Sequence, residues 1–78
     1  MSSAAFDAEL DVRQLMCPLP ILRAKKSLAV MESGQVLKVV ATDKKSPADF
    51  VDFCHKTGNE LLSSEVSGDE FVFLIRRR

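Results

Sequence analysis

Apolar residues along this chain repeat first every second position, then every third or fourth, then every second again, and that succession of periods leaves few folds open. Leu10 and Val12 alternate with Glu9, Asp11 and Arg13, which predicts a short half-buried strand ending before Leu15. Over residues 18–32, Ile21, Ala24, Leu28 and Met31 recur at helical spacing. Leu22 and Ala29 widen that stripe, and Arg23, Lys26 and Ser27 lie opposite. Pro18 suits the first turn of this helix, where its missing N–H has no intrahelical partner, and Gly34 reads as the stop signal. Residues 36–42 are rich in β-branched side chains and nearly continuously apolar, as expected of an interior strand covered on at least one face.

A second helix is expected next, with Ser46 as its cap, Pro47 in its first position, Asp49 in its first turn and Gly58 ending it in a left-handed conformation. Its inward stripe reads as Phe50, Val51, Phe53 and Cys54. Two further strands, 61–66 and 71–75, are separated by the turn-rich stretch Ser67, Gly68, Asp69 and Glu70, which predicts a hairpin. The order is βαβαββ. Crossover handedness and the shortness of the chain predict an α+β two-layer sandwich, a four-stranded mixed sheet with both helices on one face and the other face open. Residues 1–78 read as one domain, with 1–6 a frayed start.

With 78 residues, 46% apolar and 28% charged, there is room for one core, and any functional site is expected at the surface. Eleven basic and eleven acidic residues cancel, so no overall field recruits nucleic acid, and direct nucleic-acid binding is not expected. The charge is locally uneven. Arg23, Lys25 and Lys26 sit together, Lys44 and Lys45 form a pair, and Arg76, Arg77 and Arg78 follow one another. These read either as a patch for an acidic partner or as solvated charges, with the latter, or a disordered end, expected for Arg77 and Arg78. No apolar run of about 18 residues is present to span a bilayer, and the first ten residues lack a signal-peptide pattern, so a cytoplasmic protein with reduced thiols is expected. Cys17 and Cys54 have neither CxxC nor zinc-ligand spacing, and with one histidine no metal site or cofactor is expected.

The informative stretch is Arg13, Gln14, Leu15, Met16, Cys17, Pro18, Leu19, Pro20, in which a cysteine precedes two alternating prolines that open a basic helix. In the cap position Cys17 would face the free N–H groups of the first turn, which favours thiolate and predicts a lowered pKa. Pro18 and Pro20 would stiffen the elbow that presents the sulfur. A small buried hydrophobe filling the seam between strand and helix is the alternative, and the residues alone leave both open. Arg13 is the side chain nearest in sequence that could add positive charge; otherwise it is a solvated strand-end residue. Cys54 reads as core packing. His55 points about 100° away from it along the helix, so the two are no ready-made pair.

The stretch Leu10-Asp11-Val12-Arg13 followed by Cys17-Pro18-Leu19-Pro20 resembles the signature of the TusA, or SirA-like, sulfur-carrier family, and the resemblance runs from Leu10 to Arg76. It implies a carrier that accepts a persulfide sulfur on Cys17 from a cysteine desulfurase or a rhodanese-like donor. The sulfur then passes to a cysteine of an acceptor sulfurtransferase, in one relay toward the 2-thiouridine of tRNA. Sulfur oxidation and molybdenum-cofactor supply are other routes served by similar proteins. Transient contacts of a monomer suit such a role. A non-catalytic interaction module, for which Cys17 is dispensable, is the alternative of a different class. Thiol–disulfide sensing with Cys54 as the resolving thiol ranks below both.

Overall fold

The computed structural model describes residues 6–78. The frayed start expected over 1–6 lies outside them except for Phe6, whose ring centroid is 5.2 Å from the Lys38 ammonium. Six elements follow in the expected order: β1 (Ala8–Val12), α1 (Leu19–Ala29), β2 (Val36–Ala41), α2 (Ser46–Thr57), β3 (Glu60–Ser67) and β4 (Glu70–Arg76). The sheet order is β1-β2-β4-β3, with β1 parallel to β2 and β4 antiparallel to both of its neighbours. β2 is therefore interior, as its β-branched composition indicated.

Alternation along the strands divides the sheet into two faces. Val12, Leu37, Val39, Ala41, Phe73 and Ile75 point to the helices and are buried. Val36, Lys38, Val40, Val72 and Leu74 alternate with them on the open face and are only half-buried. Ala24 and Leu28 of α1 and Phe50, Phe53 and Cys54 of α2 complete the single core. At its centre Phe50 stacks on Phe73 at 4.7 Å between centroids, and Phe53 meets Phe50 edge-on at 6.2 Å.

Local details depart from the sequence reading in four places. α1 spans Leu19–Ala29, shorter than 18–32, because three-residue bonds tighten its end: the Val30 N–H donates to the Ser27 carbonyl at 3.3 Å and the Met31 N–H to Leu28 at 3.1 Å. Gly34 is not its stop; with φ +87° it forms the turn into β2 and donates its N–H to Arg77. Ser46 does not cap α2 but lies inside its first turn, buried and with no partner for its hydroxyl. Val51, Leu22 and Ala29 face water, because residues three and four apart share a helix face while the next residue is turned by about 100°. In α2 that selects Phe50, Phe53 and Cys54 and leaves Val51 56% exposed.

Gly58 ends α2 as expected, at φ +82°, with its N–H donated to the Cys54 carbonyl at 2.9 Å. A Cβ there would also meet the Arg78 side chain at 2.8 Å. Arg77 and Arg78 are tied down rather than disordered. The Arg77 guanidinium donates to the last turn of α1 at Leu28 (2.8 Å), and the Arg78 N–H donates to Asn59 at 2.8 Å. The Arg78 guanidinium also donates to the Thr57 carbonyl at 3.3 Å, so each cation lies at a helix C-terminus, where the dipole favours positive charge.

The core assignment predicts that Phe50→Ala destabilises the fold by about 3–5 kcal/mol, whereas Val51→Ala stays within about 0.5 kcal/mol of the parent. Urea unfolding followed by circular dichroism separates the two, and equal losses would return Val51 to the inward stripe.

Candidate functional site

Because β1 and β2 run parallel, the loops leaving their C-terminal ends emerge side by side on one edge of the sheet. The first loop carries Cys17. The second, after Ala41, carries Thr42 and Asp43 into α2. Two bonds clamp them together. The Gln14 N–H donates to Thr42 Oγ1 at 2.8 Å, and the Cys17 N–H donates to Asp43 Oδ2 at 2.7 Å. Asp43 uses its other oxygen for the Lys45 N–H at 3.1 Å, so one carboxylate joins the cysteine loop to the start of α2. The clamp also holds Gln14 at φ +67°, a left-handed conformation that a non-glycine residue adopts only when its surroundings require it.

Cys17 is exposed, and its peptide bond to Pro18 is cis. The cap of α1 is Pro18, one residue later than the cysteine, and Pro20 is buried in the first turn. Cys17 is therefore displaced from the position where helix N–H groups would act on it most directly. What faces the thiol instead is α2. Asp49, in the first turn of α2, lines the same groove as Cys17, and its proximity is the main reason that the thiol is held above its ordinary pKa. Partial desolvation and the charges of Asp49 and Asp43 act in the same direction, and Lys45 opposes them. The lowered pKa expected from the helix end is thus corrected to a raised one.

Asp43 behaves oppositely: the N–H groups of Lys45 and Cys17 hold its carboxyl below the usual range. Its tie on the cysteine loop is therefore fully present above the ordinary carboxylate pKa and is lost only as pH falls through the lowered value. Arg13 is engaged elsewhere. It makes a two-pronged contact with Asp11, including an ion pair at 2.9 Å, and reaches Glu70 at 3.3 Å, which brings the Asp11 carboxyl down to about 2. The cation acting on Cys17 is Lys45, on the facing loop.

From Cys17 and Pro18 a groove runs between the helices, lined by Ile21, Leu22 and Lys25 on one side and Asp49, Phe53 and Lys56 on the other. Met16 (72% exposed), Leu19 and Leu22 (54% exposed) form an apolar margin beside the sulfur. Arg23, Lys25 and Lys26 are exposed, and among the described residues none of them has an ion-pair partner. Cys54 is buried in the core, and desolvation pushes its thiol up to about 11. His55 is exposed. Among the described residues no group of three or more side chains is arranged to hold a metal ion, and no helix is long and apolar enough to cross a membrane.

The sequence pattern singles out neither Thr42 nor Asp43 for the site and gives Asp49 only the role of a favourable first-turn charge. A signal for them did exist. Once residues 8–12 and 36–41 are paired in parallel, the residues following each strand must meet, and Thr42 and Asp43 immediately follow the second.

The sequence and the fold both match known proteins. The family model described as sulfurtransferase TusA matches residues 8–77. The sulfur carrier protein TusA of Allochromatium vinosum is 58% identical over 74 residues, covering 95% of this chain and 97% of that protein. The sulfur carrier protein TusA of Pseudomonas entomophila is 35% identical over 78 residues, covering 100% and 98%. The crystal structure of the SirA-like protein from Desulfitobacterium hafniense superposes with a TM-score of 0.78 at 25% identity, covering 90% of this chain and 96% of that one.

The two thiols are expected to separate cleanly on alkylation. Native protein should take up one iodoacetamide label, at Cys17, with a rate that continues to rise above the pH where an ordinary thiol ionises, and Cys54 should react only in denaturant. Intact mass and peptide mapping across a pH series check both points; early labelling of Cys54 would show that it is within reach.

Proposed function

This chain belongs to the TusA sulfurtransferase family, and from that premise we propose that it is a sulfur carrier whose Cys17 holds the cargo as a persulfide. The observation that carries the assignment to one residue is the contrast between its thiols: Cys17 is exposed on a clamped loop, and Cys54 is buried in the core. Only the former can meet the sulfur of another protein.

Loading is an exchange at sulfur. The Cys17 sulfur attacks the outer sulfur of a donor persulfide, the donor's S–S bond breaks with its electron pair on the donor sulfur, and Cys17–S–SH results. Delivery repeats the exchange, with an acceptor cysteine as nucleophile and Cys17 as leaving group. No redox reagent or cofactor enters, because the transferred atom keeps its oxidation level. The donor is read as a cysteine desulfurase or a rhodanese-like protein and the acceptor as a sulfurtransferase with a reactive cysteine. Formation of tRNA 2-thiouridine is the proposed destination, and sulfur oxidation and molybdenum-cofactor supply are the other routes of the same chemistry. The cytoplasm is the proposed compartment.

Two features support transient encounters rather than a lasting complex. The apolar margin of Met16, Leu19 and Leu22 is small, and the flanking Arg23, Lys25 and Lys26 suit electrostatic steering toward an acidic partner. A raised thiol pKa in the free protein also fits a carrier, since it spares Cys17 from stray oxidation between encounters.

After incubation with a cysteine desulfurase, cysteine and pyridoxal phosphate, wild type and Cys54→Ser should each gain one sulfur atom, about 32 Da, and Cys17→Ser should gain none. Intact mass after alkylation reads the result. Folded wild type that stays unloaded with both this donor and a rhodanese plus thiosulfate would remove sulfur carriage and favour an interaction module.

A further inference from the structure

The groove that opens at Cys17 continues to the other end of the helix layer. Lys25, Phe53 and Thr57 line both this groove and a second cavity of about 270 Å³, placed where α1 and α2 finish, so the two are continuous. Electrostatically the ends differ. At the Cys17 end stand Asp43, bonded to the Cys17 N–H at 2.7 Å, and Asp49, which has no ion-pair partner among the described residues. Between the ends, Asp52 and Lys56 neutralise each other in an ion pair at 3.0 Å. At the far end Lys25, Arg77 and Arg78 line the cavity with no acidic side chain beside them.

The charge of those three cations is not cancelled within the chain. Among the described residues none of them is ion-paired. Arg77 donates to the Leu28 carbonyl at 2.8 Å and to the Ser33 hydroxyl at 3.4 Å, and Arg78 donates to the Thr57 carbonyl at 3.3 Å, all of them neutral acceptors. Against the cations stand two helix C-termini, each about half a negative charge, and a main-chain carboxylate at Arg78 would add one more. Positive charge stays in excess.

We infer that the groove is a docking channel for an extended segment of the protein that exchanges sulfur with Cys17, a segment with its reactive cysteine at the Cys17 end and an acidic residue, about five positions away, in the Lys25, Arg77 and Arg78 cavity. The inference rests on the carrier reading and adds to it the partner's chemistry and register. Length sets the register. Pro18 and Ala29 line the two ends and stand eleven positions apart, about 16 Å along a helix that rises 1.5 Å per residue. An extended chain advances about 3.3 Å per residue, so about five residues cover that span. Sign sets the order. Asp43 and Asp49 oppose an acidic residue placed beside the partner's cysteine, and the far cavity attracts one. General steering by Arg23, Lys25 and Lys26 needs no such register.

Peptides with one cysteine activated as a mixed disulfide with 2-nitro-5-thiobenzoate trap this docking, because the Cys17 thiolate attacks the peptide sulfur and releases the coloured thiolate. On Cys54→Ser protein, a peptide of neutral residues with an aspartate pair about five positions from the cysteine, made in both chain directions, is compared with one whose pair adjoins the cysteine. Each rate is divided by the same peptide's rate with β-mercaptoethanol, which removes the effect of the aspartates on their own disulfide. In at least one direction the distant pair should react at least about threefold faster than the adjacent pair, as exposed ion pairs allow. Lys25→Gln, at an exposed position, should reduce that preference with the circular dichroism spectrum unchanged, and Lys25→Gln with Arg78→Gln should erase it. Equal rates for distant and adjacent pairs would leave the cations only unspecific steering and overturn the inference, and so would a preference that survives both substitutions. The trap needs no sulfur transfer, so a preference seen in a protein that no donor loads would leave the channel standing and remove the carrier reading.

Discussion

Leu10 lies opposite Val39 and Val12 opposite Ala41 because β1 and β2 run in the same direction, and two parallel strands cannot be joined by a tight turn. The chain must cross over, and α1 is that crossover. A right-handed connection sets it on one face of the sheet, and α2, returning from β2 to the hairpin, fills the remaining half of the same face. The core then forms between one layer of helices and one layer of strands, centred on Phe50 against Phe73. The same parallel pairing brings the ends of β1 and β2 to one edge, so that the cysteine loop and the start of α2 have no choice but to meet.

At that meeting point two electrostatic effects oppose each other. A helix start acts through partial charges spread over its first turn, which water screens within a few ångströms, and Pro18 rather than Cys17 occupies the cap. Asp49 and Asp43 stand nearer to the thiol than that helix end does and push its pKa the other way, against the opposing pull of Lys45. The nearer groups prevail, and the thiol is held above its ordinary pKa. Asp43 makes this arrangement reproducible, since a single carboxylate bonded to the Cys17 and Lys45 N–H groups prevents either loop from drifting away from the other.

Charge distribution extends the same division across the molecule. The net charge is zero, yet α1 carries Arg23, Lys25 and Lys26 with no acidic residue and α2 sets Lys56 against Asp49 and Asp52, whereas the strands carry Glu9, Asp11, Glu60, Glu65 and Glu70 against Lys38 and Arg76. The layer that carries the sulfur is the one suited to an acidic visitor, and the composition alone concealed this by cancelling the two layers against each other.

By itself the sequence determined the elements and their order, and it singled out Cys17 by the motif around it. Those are local properties. The period of the apolar residues marks each strand and helix, Gly58 can end a helix in a conformation other residues avoid, and Cys17-Pro18-Leu19-Pro20 names a family. Tertiary structure decided what surrounds the cysteine. Asp43 and Asp49 stand 26 and 32 positions after Cys17, too far along the chain for any local spacing rule to connect them, and they reach it only through the parallel register of β1 on β2. It likewise decided that Arg13 turns to Asp11 and Glu70 and not to the sulfur, and that Val51 faces water. Each of these depends on the direction in which a side chain leaves its element and on which other element lies there, and that is a property of the packed layers and not of the sequence pattern within either one.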